Sequence, residues 1–231
     1  MKKIIAIIMI VSCTAVFVHA QDIKGATGNV AVELNFTPLS SSPISIDYLK
    51  VRYFASDDIV YRMGLNINMH SEKYEPINAV DDKIKDLEKE SYTQFGLYPG
   101  IEKHFGNFER FSPYIGAEVG FTTKSSKYSY EDNEAKTTYE SKNGWVPNDE
   151  SAPYISNRAF TSIGLNLLTG ADFYFTKKFY LGAEIGFGFM STSWKEVTVS
   201  MGSTTITVDN KYSSRDLGFN YNSAIRLGFC F

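Results

Sequence analysis

The chain has 231 residues, a formal charge of −3 and an excess of Phe and Tyr, 17 and 15, at a mean hydropathy of −0.19. So mild an acidity gives no ground for a nucleic-acid partner. The near-neutral hydropathy does not exclude a membrane barrel, whose strands alternate lipid-facing with lumen-facing residues.

At the amino terminus, Lys2 and Lys3 precede an apolar run from Ile4 to Val18, and Val18-His19-Ala20 supplies small-residue cleavage chemistry before Gln21. Residues 1–20 read as a secretory signal peptide, leaving 21–231 as one domain. That run is shorter than the roughly 20 residues of a spanning helix, and no later stretch reaches even its length. Cleavage takes the charge to −5 and removes Cys13, so Cys230 has no partner for an intramolecular disulfide.

From Gln21 onward, period-two alternation marks about eight strands: 26–37, 44–55, 59–69, 92–105, 112–123, 158–175, 179–194 and 213–231. Most are long enough to cross a bilayer when tilted, since about 9 to 11 residues suffice. The connections after strands two, four and six are tight: Ser56-Asp57-Asp58, Gly106 to Arg110, and Thr176-Lys177-Lys178. Those after strands three, five and seven are long and polar, over 70–91, 124–157 and 195–212, while Pro38 to Pro43 is intermediate. This sorting suits an even-stranded meander with short turns inside and loops outside. Two hairpins also carry near copies of one phrase, Tyr114-Ile115-Gly116-Ala117-Glu118-Val119-Gly120-Phe121 and Tyr180-Leu181-Gly182-Ala183-Glu184-Ile185-Gly186-Phe187.

Leader, eight strands, alternating connections and a last strand ending on Leu227, Phe229 and Phe231 together resemble the small outer-membrane barrels of the OmpA/OmpX/OmpW-like type. The expected fold is all-β, an eight-stranded antiparallel up-and-down transmembrane β-barrel. The resemblance implies the outer membrane of a Gram-negative bacterium, periplasmic termini, extracellular long loops, and contact with outer-membrane lipid and lipopolysaccharide. It also implies insertion by the outer-membrane assembly machinery, with Leu227, Phe229 and Phe231 as the assembly signal.

One face of the strands is nearly uncharged, with Val30, Val51, Met63, Leu97, Val119, Leu165, Ile185 and their same-face neighbours. Lys103 is the exception, expected to snorkel at the inner interface. Aromatics near the turns, among them Tyr53, Phe105, Phe173, Phe179 and Phe229, form the expected inner girdle. Pro99 and Asp47 fit this register poorly and suggest bulges.

The other face carries Glu33, Lys50, Arg52, Arg62, Glu102, Glu118, Asp172, Glu184 and Arg226, four cations against five carboxylates. An eight-stranded interior is just wide enough for side chains to fill, so near-balanced charges point to an ion-paired plug, with a gated solute path as the alternative. Asp172 and Glu184 are the expected partners of Arg226. A narrow porin or OmpW-like transporter is the competing reading, although such a transporter would show an apolar passage.

Catalysis of the lipid-modifying type needs a His beside a hydroxyl and an orienting acid. His104 lies at the inner end of strand four, and His70, next to Ser71 and Glu72, on neighbouring positions that point apart; no enzyme is expected. No Cys/His cluster or calcium-loop spacing supports a metal or other cofactor. Val80 to Lys89 suggests a short amphipathic helix on Ile84 and Leu87. Tyr128, Tyr130, Tyr139, Trp145 and Tyr154 are candidate exposed aromatics for an extracellular protein or host-surface ligand. Val197-Thr198-Val199 and Thr205 to Val208 read as a hairpin prolonging strands seven and eight. Surface recognition and a purely structural envelope role both fit these loops.

Overall fold

The computed structural model describes residues 25–36, 44–76, 85–106, 108–147, 154–221 and 225–231. They form twelve strands: β1 (Val30–Phe36), β2 (Ile44–Phe54), β3 (Ile59–Tyr74), β4 (Leu87–His104), β5 (Phe111–Asp132), β6 (Thr137–Lys142), β7 (Phe160–Tyr174), β8 (Phe179–Trp194), β9 (Val197–Met201), β10 (Thr204–Asp209), β11 (Tyr212–Tyr221) and β12 (Ile225–Cys230). Every pairing is antiparallel, and the circuit β1-β2-β3-β4-β5-β7-β8-β12 returns to β1 through Ala31↔Cys230 to Phe36↔Ile225. β11 and β12 lie in succession along β8 and together make the eighth wall strand. The eight-stranded antiparallel barrel expected from period two is therefore the observed fold.

The short turns close one end. Two of them are built alike: Ser56 Oγ accepts from Ile59 N at 3.1 Å, and Thr176 Oγ1 accepts from Phe179 N at 3.1 Å. A hydroxyl in each turn thus occupies a backbone donor that the ladder leaves over. Phe231 N donates to Val30 O at 2.8 Å, so the beginning of β1 and the end of the chain share that end. Lys103 also lies there and pairs with Asp58 of the β2–β3 turn.

The β1–β2 register shifts between Leu34, opposite Leu49, and Asn35, opposite Ser45, so an irregularity falls where Asp47 suggested one. At Pro99 the bulge reading is corrected. The β4–β5 register is the same at Leu97↔Phe121 and Gly100↔Glu118, and Pro99 faces Met63 in an unbroken β3–β4 ladder. A proline removes its own donor without inserting a residue.

A larger correction concerns 70–91 and 124–157. β3, β4 and β5 run on to Tyr74, from Leu87 and to Asp132, and β6 adds a strand inside the second segment. Leu87 to Lys89, assigned to a helix above, are strand; Val80 to Ile84 lie outside the described residues. The hairpin β9–β10 exists, but its neighbour changes. β8 pairs with β7, whereas β9 pairs with β6 through Tyr139↔Met201 to Lys142↔Thr198. Beyond the barrel the strands thus form an open sheet in the order β10-β9-β6-β5-β4-β3.

Candidate functional site

Residues alternate strictly across the barrel wall. Tyr61, Ile101, Ile115, Val119, Leu165, Leu167, Ile185 and Phe187 stand exposed on its outside, each 40–60 % accessible, whereas Arg52, Glu102, Asp172, Glu33 and Arg226 are at most 1 % accessible inside. Apolar side chains outward and charges inward is the reverse of a water-soluble protein, and lipid is the solvent that makes it stable.

The structure gathers all nine expected lumen charges. Arg52 Nη1 lies 2.9 Å from Glu33 and 2.6 Å from Asp172, and its Nη2 pairs with Glu102. Arg62 reaches Glu102 at 3.0 Å, Glu118 at 2.9 Å and Glu184 at 2.6 Å. Arg226 bonds Glu33 at 3.0 Å and Asp172 at 3.2 Å; Glu184, at 3.9 Å, is its more distant neighbour. Lys50 sits 3.7 Å from Glu33 and 3.6 Å from Glu184. Each arginine bridges carboxylates from different strands, so the cluster ties opposite walls together. Burial of such ions is tolerable only when opposite charges surround them, and here each of the nine has at least one within ion-pair distance, while Nε of Arg52, Arg62 and Arg226 makes no hydrogen bond.

The repeated phrase acquires a purpose in this cluster. Tyr114 Oη donates to Glu184 at 2.6 Å and accepts from Arg226 at 2.7 Å, while Tyr180 Oη donates to Glu33 at 2.7 Å and accepts from Arg52 at 3.1 Å. In both copies Tyr and Glu, four residues apart, point inward and the glycine between them leaves room. A Cβ at Gly182 would stand 2.5 Å from both Arg226 Nη2 and Asp172 Oδ1. Tyr114 and Tyr180 were absent from the expected lumen set, although they share parity with Glu118 and Glu184.

His104 and Ser112 were missed as well. His104 Nδ1 lies 2.8 Å from Ser112 Oγ, and its Nε2 lies 3.1 Å from Glu102 and 3.0 Å from Arg52. The line Ser112-His104-Glu102 has the residue types of a hydrolytic triad. All three are buried, however, and Arg52 holds the same carboxylate. Towards the short-turn end, Ala31, Phe54, Val60, Tyr174, Tyr180 and Cys230 form an apolar floor. On the other side lies a polar cavity of about 320 Å³, bordered by Tyr48, Lys50, Arg62, Glu118, Asn166 and Glu184.

The sheet above the barrel has its own core. Tyr128, Tyr139, Trp145 and Val199 cluster on its inner face, with Tyr92, Tyr130 and Val146 packed against them. This corrects the expectation of exposed recognition aromatics: Tyr128, Tyr139 and Trp145 are buried, and among the five only Tyr154 is widely exposed, at 58 %. The cause is period two itself, which continues through β5 and β6 and turns these rings to one side. Trp145 Nε1 donates to Ser91 O at 3.0 Å, and its ring meets those of His70 and Tyr92 at 5.6 and 5.8 Å. Asn143 and Asn157 take positive φ, 65° and 47°, where the chain after β6 reverses across this face.

The outer face of the same sheet is charged. Lys89 pairs with Glu131 at 3.1 Å, and Glu140 takes Lys127 at 2.6 Å and Lys142 at 3.1 Å. The hydrogen bond from Lys127 holds the Glu140 carboxyl below its ordinary range. Asp86 accepts from Tyr130 Oη at 2.7 Å and from Asn133 N at 3.0 Å, latching the segment before β4 to the β5–β6 turn, and that hydrogen bond pushes the Tyr130 phenol up to about 12. Where β8–β9 and β10–β11 bend, Arg158 clamps both strands: Nε and Nη2 donate to Lys195 O at 3.1 and 2.9 Å, Nη2 donates to Asn210 O at 2.6 Å, and Nη1 pairs with Asp209.

Among solved structures, the chain is similar to the N-terminal β-barrel domain of Pseudomonas aeruginosa OprF (12% identity, 89% of this chain and 98% of that one, TM-score 0.38). It is also similar to the outer membrane protein AlkL (13%, 94% and 97%, 0.41) and to E. coli outer membrane protein W (13%, 90% and 99%, 0.39). Likeness at this level says nothing about ligand or activity. No curated protein matches the chain. The model of the putative OmpA-OmpF-like porin family matches residues 40–231, most of the sequence, and the chain belongs to that family.

Proposed function

We propose that this outer-membrane barrel is a sealed, non-catalytic anchor whose working part is the sheet it raises above the membrane, serving surface recognition and adhesion. The observation that carries the reading is the pairing of a lumen crossed by bridged ions, above an apolar floor, with a separate sheet that keeps its own aromatic core. A barrel that only filled space in the envelope would have no use for that second core. In this reading residues 1–20 are a cleaved leader and the short-turn end faces the periplasm. Leu227, Phe229 and Phe231 are read by the assembly machinery; Phe229 packs on Phe179 and Phe231 at 4.7 Å each, a compact aromatic end to β12. Lipopolysaccharide surrounds the outer half, and a protein or host-surface ligand meets the sheet.

Planar-bilayer recording of the folded protein tests the seal. No steady large-conductance openings are expected; their appearance would overturn it. They would favour a narrow porin, the reading that the family's name and the 320 Å³ polar cavity support. Adhesion is tested by displaying the protein on a non-adherent strain, where a gain in attachment to host cells is expected. Heat-modifiable gel migration should accompany the folded form, and fractionation with soluble periplasmic proteins would contradict the membrane placement.

A further inference from the structure

The raised sheet has two edges of different character. β3 forms one and carries His70, Glu72 and Lys73; β10 forms the other and pairs, among the described residues, with β9 alone. Edge strands are ordinarily guarded by charge or proline, because their free N–H and C=O groups template further pairing. Ser203 to Val208 contains neither, Thr204 to Val208 are all exposed, and the strand's one irregularity is a register shift against β9 between Thr207 and Asp209. The inner face also runs off this edge unfinished. Tyr128, Ser141, Val199 and Ile206 are successive partners across four strands, buried at the first three and 56 % accessible at Ile206, with Val208 beside it at 40 %.

The sequence of β10 fits itself. With two copies antiparallel about Ile206, Ile206 faces Ile206, Thr205 faces Thr207, Thr204 faces Val208 and Asp209 faces Ser203. No like charges meet, and from Thr204 to Val208 β-branched residues oppose one another. Direction then decides where the second copy lies. β9 climbs to the Gly202 turn and β10 descends from it towards the barrel, so two β10 strands in one membrane run parallel. An antiparallel mate must descend towards a barrel on the other side.

We infer that β10 is a homotypic adhesive edge, pairing antiparallel with β10 of a second copy in an apposed membrane to join two sheets into one. This isologous contact is self-limiting at two copies. It deepens the recognition reading above and rests on the sheet facing the medium.

Full-length protein reconstituted into two populations of phosphatidylcholine vesicles, with donor- and acceptor-labelled lipids, tests it. Wild-type vesicles should dock across populations several-fold more than empty ones. Thr205→Lys with Thr207→Lys should abolish docking by placing lysines opposite one another. Mixing those vesicles with others bearing Thr205→Glu and Thr207→Glu should restore it. In a Cys13→Ser background, Ile206→Cys should give disulfide-linked pairs between populations, the native Cys230 being buried. Heat-modifiable migration checks that each variant has folded. Dispersed wild-type vesicles, docking that survives the lysines, or cross-links confined to one population, as parallel β10–β10 pairing within one membrane would give, each overturn the proposal. Host-cell attachment without vesicle docking sinks only the homotypic contact and leaves the broader recognition reading intact.

Discussion

Strand β5 passes through both halves of the molecule, and its two faces exchange polarity on the way. Between Ile115 and Phe121 it turns Ile115, Ala117, Val119 and Phe121 outward and Glu118 inward. From Lys127 to Glu131 it turns Lys127, Ser129 and Glu131 outward and Tyr128 and Tyr130 inward. The backbone, pleat and parity are unchanged. What changes is the solvent on the outside, lipid for one stretch and water for the next, and the inner face follows as its complement. The crossover falls through Thr122 to Ser126, and in the reading proposed above the wall leaves the membrane there. Lumen and raised sheet are therefore two cores of opposite chemistry on one continuous wall, one held by bridged charges and the other by aromatic packing.

The greatest expected effect lies in the lumen. Arg52→Ala leaves Glu33, Glu102 and Asp172 short of their shared cation, and losing one partner of a buried ion cluster costs about 3–5 kcal/mol. Urea unfolding in detergent should show that loss for the whole barrel. Arg226→Ala should lower folding yield in the same way without opening a conductance. Stability near that of the wild type would mean that the charges are not what ties the walls.

Trp145→Ala tests the other core. Truncating a buried Trp costs about 3–5 kcal/mol, here confined to the raised sheet. Protease should then cut around 143–147 while the barrel keeps its heat-modifiable band. Parallel loss of both would show one cooperative unit instead of two. Arg158→Ala, at the bend, removes donors to two carbonyls and should cost about 1–3 kcal/mol. Faster amide exchange in β9 and β10, with β8 unaltered below Trp194, is the expected signature.

The smallest effect is electrostatic. Tyr130 titrates near 12 because its hydroxyl is held by Asp86. A phenol raised on folding contributes fully below the ordinary tyrosine value, and that contribution is lost as pH climbs through about 12. Ultraviolet titration of the wild type and of Asp86→Asn should differ by one late tyrosine, which the substitution returns towards the ordinary value. No difference between the two would remove this latch.

Much of this was legible without coordinates. Period two marked the wall strands, and parity assigned the nine lumen charges to one face. Pairing was harder to read, because parity says which way Arg226 points and nothing about which carboxylate lies across the lumen; Glu33, its nearest acid, is 193 positions away. Tyr114, Tyr180, Ser112 and His104 stand outside the expected lumen set although their parity matches it. The continuation of β3, β4 and β5 was hidden by a change of composition: once Lys, Ser and Thr occupy the outer face, a strand in water looks like a polar loop. Tyr128, Tyr139 and Trp145 were read as exposed for the same reason.

The amino-acid order by itself determined the local events: where the chain is extended, which residues share a face, and where tight turns fall. Those depend on pleat geometry and on turn chemistry within a few residues. Closure between β1 and β12, the bridges across the lumen, the transfer of β9 from the β7 side to β6, and the edge at β10, unpaired among the described residues, were decided only by the tertiary structure. Each is a contact between segments far apart in the chain, and periodicity carries no information about which distant segment a face will meet.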